Sequence, residues 1–329
     1  MVLFDDNYTV MLNDSIQKRV WSIAGGKGGT GKSLIASSLA ILLAKTNKKV
    51  IAVDADLGGA NLHTCLNVNS PRHTLSDFIQ RRVANLEDIL VDTPFLNLKL
   101  ISGASDIYNI ANPIYTQKTR LITHLQQLPC DHLIIDLGAG TSYNVLDFFI
   151  LSNSGILVTL PEPSSVENLY RFLRSVILRI IKKTLTKTDF EAIFNDYSLI
   201  EGNGRTLLKN TQNLLTVLSS KNKRSYYTLK ERLEAFQPKL IINQAREEED
   251  VELGHSIVQM VNRHLGIKVS FLGYLPYDER VFKSIKQFRP FMEAYPDCFT
   301  ASCLKDITRK LLNGDAAEAN RERAFWSST

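Results

Sequence analysis

The stretch WSIAGGKGGTGKSLIA, residues 21–36, constrains the fold more than any other part of the chain. Within it, GKGGTGKS at 26–33 matches the pattern G-x-x-x-x-G-K-[ST]. An apolar β-rich run precedes it and a helix-period run follows, so the motif sits on a strand–loop–helix unit. Gly26, Gly28, Gly29 and Gly31 let the backbone around Thr30 curl until successive N–H groups point inward. The helix that opens near Gly31 and continues through Leu34 aims its positive dipole end at the same place. Lys32 can then reach β- and γ-phosphates, and the Ser33 hydroxyl can ligate Mg²⁺. This spacing predicts a site for ATP with Mg²⁺.

The rest of the chain alternates in the same manner. KKVIAVDAD, LNLKLISG, DHLIIDLG, GILVTLP, PKLIINQ and VSFLGYLP read as further strands. Helix-period runs such as PIYTQKTRLITHLQQL, SYNVLDFFILSN, SVENLYRFLRSVILRIIKK and EDVELGHSIVQMVNRHLG separate them. Alternation of this kind predicts an α/β fold, a doubly wound and mainly parallel sheet covered on both faces. Ligands in such sheets lie at the carboxyl ends of the strands, where the glycine-rich loop falls. With 329 residues and 44% hydrophobic content, the chain can form one large domain over 1–329. Residues 184–237 break the alternation and read as two or three helices inserted late in the chain. The segment CFTASCLKDITRKLLN reads as a last helix, followed by a polar tail at 313–329.

Acids at other strand ends complete a constellation. Asp136 closes DHLIID, where a carboxylate can orient Mg²⁺ directly or through its waters. The following LGAGTS can move with the γ-phosphate. Asp54 and Asp56 end the second strand, where a carboxylate can position an attacking water or help hold the metal. Lys27 is left over. It cannot easily grip the phosphate face that Lys32 serves. It is therefore either a solvated surface lysine or a charge clamp for another molecule's phosphates.

KGGTGKS resembles the deviant Walker A motif of the MinD/ParA family of ATPases. That resemblance implies a P-loop NTPase fold of the SIMIBI type and an ATP-sandwiched homodimer. Lys27 would be the signature lysine that crosses the interface, beside the P-loop lysine Lys32 and the Mg²⁺ ligand Ser33. VDADLGGANLH is similar to the family's switch I, with Asp56 positioning the water. IIDLGAG is similar to Walker B and switch II, with Asp136 as the acid. LVTLPEPSSVENLYRFL resembles the segment that places Glu162 at the nucleotide's edge. LIINQ resembles the strand whose asparagine, Asn243, hydrogen-bonds adenine. The stretch LGYLPYDER resembles the segment bordering adenine at Pro276, Tyr277 and Asp278. The run from DLGAGTS to LYRF looks most like the flagellar-number regulators of the FlhG/FleN branch. Residues 1–17 lack the partner-activating motif that this branch often carries.

These readings imply a regulatory ATPase that acts on the positioning or number of a flagellum, pole or division site, with an unidentified protein partner. The alternatives on the same fold are a DNA-partition ATPase or a small-molecule ligase. Iron–sulfur variants are discounted, because Cys65, Cys130, Cys298 and Cys303 form no CxxC pair and DLGAGTS has no cysteine. The net charge of +5 permits contact with nucleic acid or acidic lipid without arguing for either. No apolar run is long enough to span a membrane, and residues 1–15 do not read as a signal peptide. A cytoplasmic protein is expected, with weak contact to the inner membrane surface as a secondary expectation. Leu304, Ile307, Leu311 and Leu312 form a narrow stripe that suits core packing more than membrane attachment.

Overall fold

The computed structural model describes residues 18–56, 59–69, 71–103, 113–191 and 211–313. Eight strands form one sheet: β1 (Arg19–Ala24), β2 (Val50–Asp54), β3 (Val91–Asp92), β4 (Leu98–Ile101), β5 (His132–Asp136), β6 (Ile156–Thr159), β7 (Lys239–Ala245) and β8 (Ser270–Pro276). Their order across the sheet is β3-β4-β2-β5-β1-β6-β7-β8. Every pairing is parallel except β3 with β4. Every residue of β2 and β5 is buried, as expected for strands covered on both faces.

Helices fill the two faces. On one lies α1 (Lys32–Ala44), flanked by α2 (Leu62–Cys65). All of its residues from Ile35 to Ala44 are buried. The other face carries α3 (Leu75–Ile79), α4 (Tyr115–Gln127), α5 (Tyr143–Ile150) and α6 (Pro163–Thr184), whose apolar residues join one core. In α6, Leu169, Phe172, Leu173, Val176, Ile177, Ile180 and Ile181 follow helical spacing and are buried. The basic, amphipathic RFLRSVILRIIKK is thus a sheet-covering helix.

In the described part of the 184–237 region, residues 187–191 are helical, and two further helices follow: α7 (Thr211–Lys221) and α8 (Lys223–Ala235). Leu214, Leu218, Leu229 and Leu233 are buried in the same core as α6. The basic-aromatic KNKRSYY forms the cap and first turn of α8, where the Asn222 side chain accepts from the Ser225 N–H. The positions 192–210 of that region lie outside the described residues. After β7 comes α9 (Glu248–Leu265), ended by Gly266 with φ 64°.

The last three helices among the described residues lie on the α1 face: α10 (Glu279–Lys286), α11 (Phe291–Ala294) and α12 (Phe299–Asn313). The stripe on α12 is core. Leu304, Ile307 and Leu311 are buried against the α1 face of the sheet, and Leu312 packs beside them. That stripe therefore offers nothing to a membrane. Arg19 at the start of β1 donates to the carbonyls of Leu311 and Leu312, completing the end of α12. The tail from 314 to 329 and the segment 1–17 lie outside the described residues. Among the described residues, no helix is long and apolar enough to cross a membrane.

Candidate nucleotide site

The loop between β1 and α1 stands where the sheet reverses its winding, with β5 on one side of β1 and β6 on the other. Two of its glycines are required by what surrounds them. Gly31 has φ 88°, and a Cβ there would run into Nδ2 of Asn243. Gly26 lies against the backbone of Asn168 in α6, which leaves no room for a side chain. Gly31 is also the N-cap of α1, and no side chain among the described residues caps that end. The first N–H groups of a deeply buried helix thus remain available to an anion.

The two lysines of the motif differ sharply. Lys32 is buried, and burial lowers its pKa against the opposing pull of Asp136 and Asp56. Lys27 is exposed at the outer edge of the loop. Its Nζ lies 3.4 Å from Glu162 Oε2 and donates to Ser164 Oγ at 3.3 Å. Both partners in this ion pair face solvent, with side-chain exposures of 43% and 53%.

The acids cluster beneath the loop. Asp54 and Asp136 are direct neighbours in the β2–β5 register. Burial pushes Asp136 up to about 7, and the nearby Asp54 charge adds to this. Burial likewise pushes Asp54 up to about 6. The Asp54 oxygens are engaged: Oδ1 accepts from the Asp56 N–H at 3.1 Å and Oδ2 from the Leu62 N–H at 2.9 Å. Asp54 thereby ties the loop after β2 back onto the sheet. Asp56 lies against Gly138, whose added Cβ would meet Asp56 Oδ1 at 2.9 Å. The two expected switch loops touch at that point.

The residues around the loop fit a divalent cation. Among the described residues, neither Asp136 Oδ1 nor Thr30 Oγ1, both buried, has a hydrogen-bond partner. Ser33 lies close enough to Asp136 to favour its charged form. An orphaned buried carboxylate oxygen beside a serine hydroxyl and a buried lysine is the donor set a phosphate-bound Mg²⁺ needs.

The expected adenine contacts divide. Asn243 lies under the loop, with Nδ2 donating to the Thr30 carbonyl at 2.8 Å and Oδ1 accepting from the Gln244 N–H. Asp278 is committed within the chain: it accepts from the Arg280 N–H and Nε and from Thr300 Oγ1. Its carboxyl is held below the usual range, because these donors outweigh burial. Pro276 ends β8, and the exposed Tyr277 carries the Arg246 guanidinium 4.1 Å from its ring centroid. Arg246, Ser164 and the backbone of Asn168 were not singled out in the sequence. All three lie within or next to segments the resemblance covers, but their contacts span 31 residues at Arg246–Tyr277, 137 at Lys27–Ser164 and a comparable separation at Gly26–Asn168.

Comparison with known proteins points to a nucleotide-binding domain. Residues 21–291 match the CobQ/CobB/MinD/ParA nucleotide binding domain. The antiactivator FleN of Pseudomonas aeruginosa is 25% identical over 296 residues, covering 89% of this chain and 86% of that protein. The septum site-determining protein MinD of Helicobacter pylori is 23% identical over 313 residues, covering 94% and 97%. Among solved structures, MinD of Pyrococcus horikoshii complexed with Mg-ADP shares the fold, with a TM-score of 0.62 at 22% identity over 90% of this chain and 96% of that one. The chain belongs to the CobQ/CobB/MinD/ParA nucleotide-binding domain family.

Proposed function

We propose that the chain is a slowly hydrolysing ATP switch that closes as a homodimer around two nucleotides and regulates the number or position of a cellular structure. The difference between Lys32 and Lys27 carries this reading. A buried lysine at the helix entrance suffices for the phosphates of its own nucleotide. An exposed lysine at the loop's edge, held by a solvent-facing ion pair, is free to be exchanged. Such pairs contribute about 0–1 kcal/mol, so moving Lys27 onto a neighbour's phosphate has little to overcome. ATP would shift the population toward the closed dimer because that contact exists only there. The relatedness to an antiactivator and a septum-site protein supports a regulatory role.

The chain's own residues divide the work. The loop N–H groups and Lys32 bind the phosphates. Asp56 orients the attacking water and keeps it against the Gly138 turn. Asp54 fixes the backbone that carries Asp56. Ser33 and Asp136 would hold Mg²⁺, which spreads the charge that builds on the phosphate oxygens. Asn243 supports the loop from beneath, and Glu162, Pro276 and Tyr277 border the nucleotide.

The test compares two single variants. Lys32→Ala should lose binding of a fluorescent ATP analogue. Lys27→Ala should bind the analogue as wild type does and yet remain monomeric with ATP and Mg²⁺. An undiminished ATP-dependent dimer in Lys27→Ala would refute the clamp.

A further inference from the structure

Helix α10 is inverted. Its Ser284 is 1% exposed, while Phe282 is 60%, Ile285 50% and Phe288, just beyond its end, 67% exposed. Phe282 and Ile285, three residues apart, share an outward face of the helix, and Phe288 just past its end lines the same groove as Ile285.

Phe288 is displayed at a conformational cost. The end of α10 is a Schellman motif: the Arg289 N–H bonds the Ser284 carbonyl and the Phe288 N–H bonds the Ile285 carbonyl. Phe288 therefore occupies the position that glycine ordinarily fills, with φ 51°. Of the six non-glycine residues with positive φ among the described residues, it is the only aromatic one. A bulky residue in the left-handed region that also leaves its ring in water stabilises neither the helix end nor the core.

The face has a groove and a charge. The groove runs between α10 and α2 and is lined by Leu34, Thr64, Cys65, Ile285, Phe288 and Phe291. Lys283 and Lys286 flank the apolar face, and Lys286 lies 4.6 Å over the Phe282 ring. Arg289 pairs with Glu293 at 3.5 Å, and Glu279 opens the helix. Neither Lys283 nor Lys286 forms an ion pair among the described residues.

We propose that the outer face of α10 docks an acidic amphipathic helix of a partner protein, and that this contact bears on the nucleotide-sensing loop through α2. The apolar triad matches a helix-in-groove anchor pattern, and the two lysines, neither of them in an ion pair among the described residues, select acidic flanks. A second copy of this chain would set lysines against lysines across a twofold axis. A lipid surface is flat and would leave the groove unfilled. The route to the site is short: Thr64 and Cys65 belong to α2, whose first N–H, on Leu62, holds the carboxylate of Asp54. The coupling half of the proposal rests on the switch reading; the docking half does not.

The probe is a synthetic amphipathic peptide of about 18 residues with leucines on one face and glutamates beside them. Its control carries lysines in place of the glutamates. With the full chain, the acidic peptide should bind and the lysine peptide should not. Lys283→Glu/Lys286→Glu should weaken binding by about tenfold or more. Phe288→Gly should abolish binding while raising the melting temperature, which separates loss of the anchor from loss of the fold. Equal binding of both peptides, no binding of either, or sedimentation with phosphatidylglycerol vesicles in place of peptide binding would overturn the docking surface. The acidic peptide should bind at least about threefold differently with ATP and with ADP. Equal affinities in the two states would overturn the coupling, and would do so even where Asp56→Ala forms an ATP-dependent dimer.

Discussion

Asp147 offers the sharpest energetic test, because its surroundings allow the effect to be worked in two ways. Its side chain is 0% exposed and accepts from Arg179 Nε at 2.7 Å and Nη2 at 2.8 Å. Lys183 Nζ lies at 3.0 Å, and Lys118, itself 7% exposed, pairs with the same carboxylate. Three cations from α4 and α6 thus converge on one acid of α5, the helix that anchors the loop after Asp136. Burial alone would raise the Asp147 pKa, but the Arg179 and Lys118 hydrogen bonds and the Lys183 charge hold it at about 2, against an ordinary 3.8. At about 1.36 kcal/mol per pKa unit, the charged form contributes roughly 2 kcal/mol beyond the neutral one. Asparagine mimics that neutral form, so Asp147→Asn should lose about 2 kcal/mol. Alanine also removes the acceptor and leaves three cations unpaired, which costs about 3–5 kcal/mol. At about 2 °C per kcal/mol for a chain of this size, the melting temperature should fall by about 4 °C and about 6–10 °C respectively. Circular dichroism melts at neutral pH measure both. The folded pKa is depressed, so the wild-type advantage over Asp147→Asn is complete above about pH 4 and shrinks as pH falls toward 2. An asparagine variant as stable as wild type at pH 7, or a gap unchanged at low pH, would refute this account of the cluster.

Two further substitutions probe the site and the stripe. Gly31→Ala should abolish binding of a fluorescent ATP analogue, since its φ of 88° and the adjacent Asn243 amide exclude a side chain; retained binding would mean that the loop is built differently. Leu311→Ala should destabilise by about 2–5 kcal/mol in urea without altering sedimentation with anionic vesicles; a stable variant with altered sedimentation would return the stripe to the surface.

The parts of the fold legible in the sequence were those whose signal is local. Apolar runs such as LIID and GILVT are buried on both faces, and the long helices repeat their apolar residues at 3.6-residue spacing. The two-residue β3, the short α2 and α3, and the turn at Glu87–Ile89 carry too few residues to show any period. Helix α10 escaped for the opposite reason: its period is clear, but it points outward, and only tertiary contacts reveal that Ser284 is the buried side. In the site, the glycine loop, Lys32, Ser33 and Asp136 follow from motif chemistry. The task of Asp54 does not. The spacing of Asp54 and Asp56 shows two acids at a strand end, and nothing in it shows that the chain returns at Leu62 to take up the first. The Lys27–Glu162 pair likewise joins segments 135 residues apart.

The central claim is that nucleotide state sets assembly. The most direct measurement is the light-scattering mass of Asp56→Ala with ATP and Mg²⁺, and then with ADP. Loss of the water-orienting carboxylate should trap the ATP state, so the account predicts a dimer with ATP and a monomer with ADP. The same mass in both nucleotides, monomer or dimer, would contradict it.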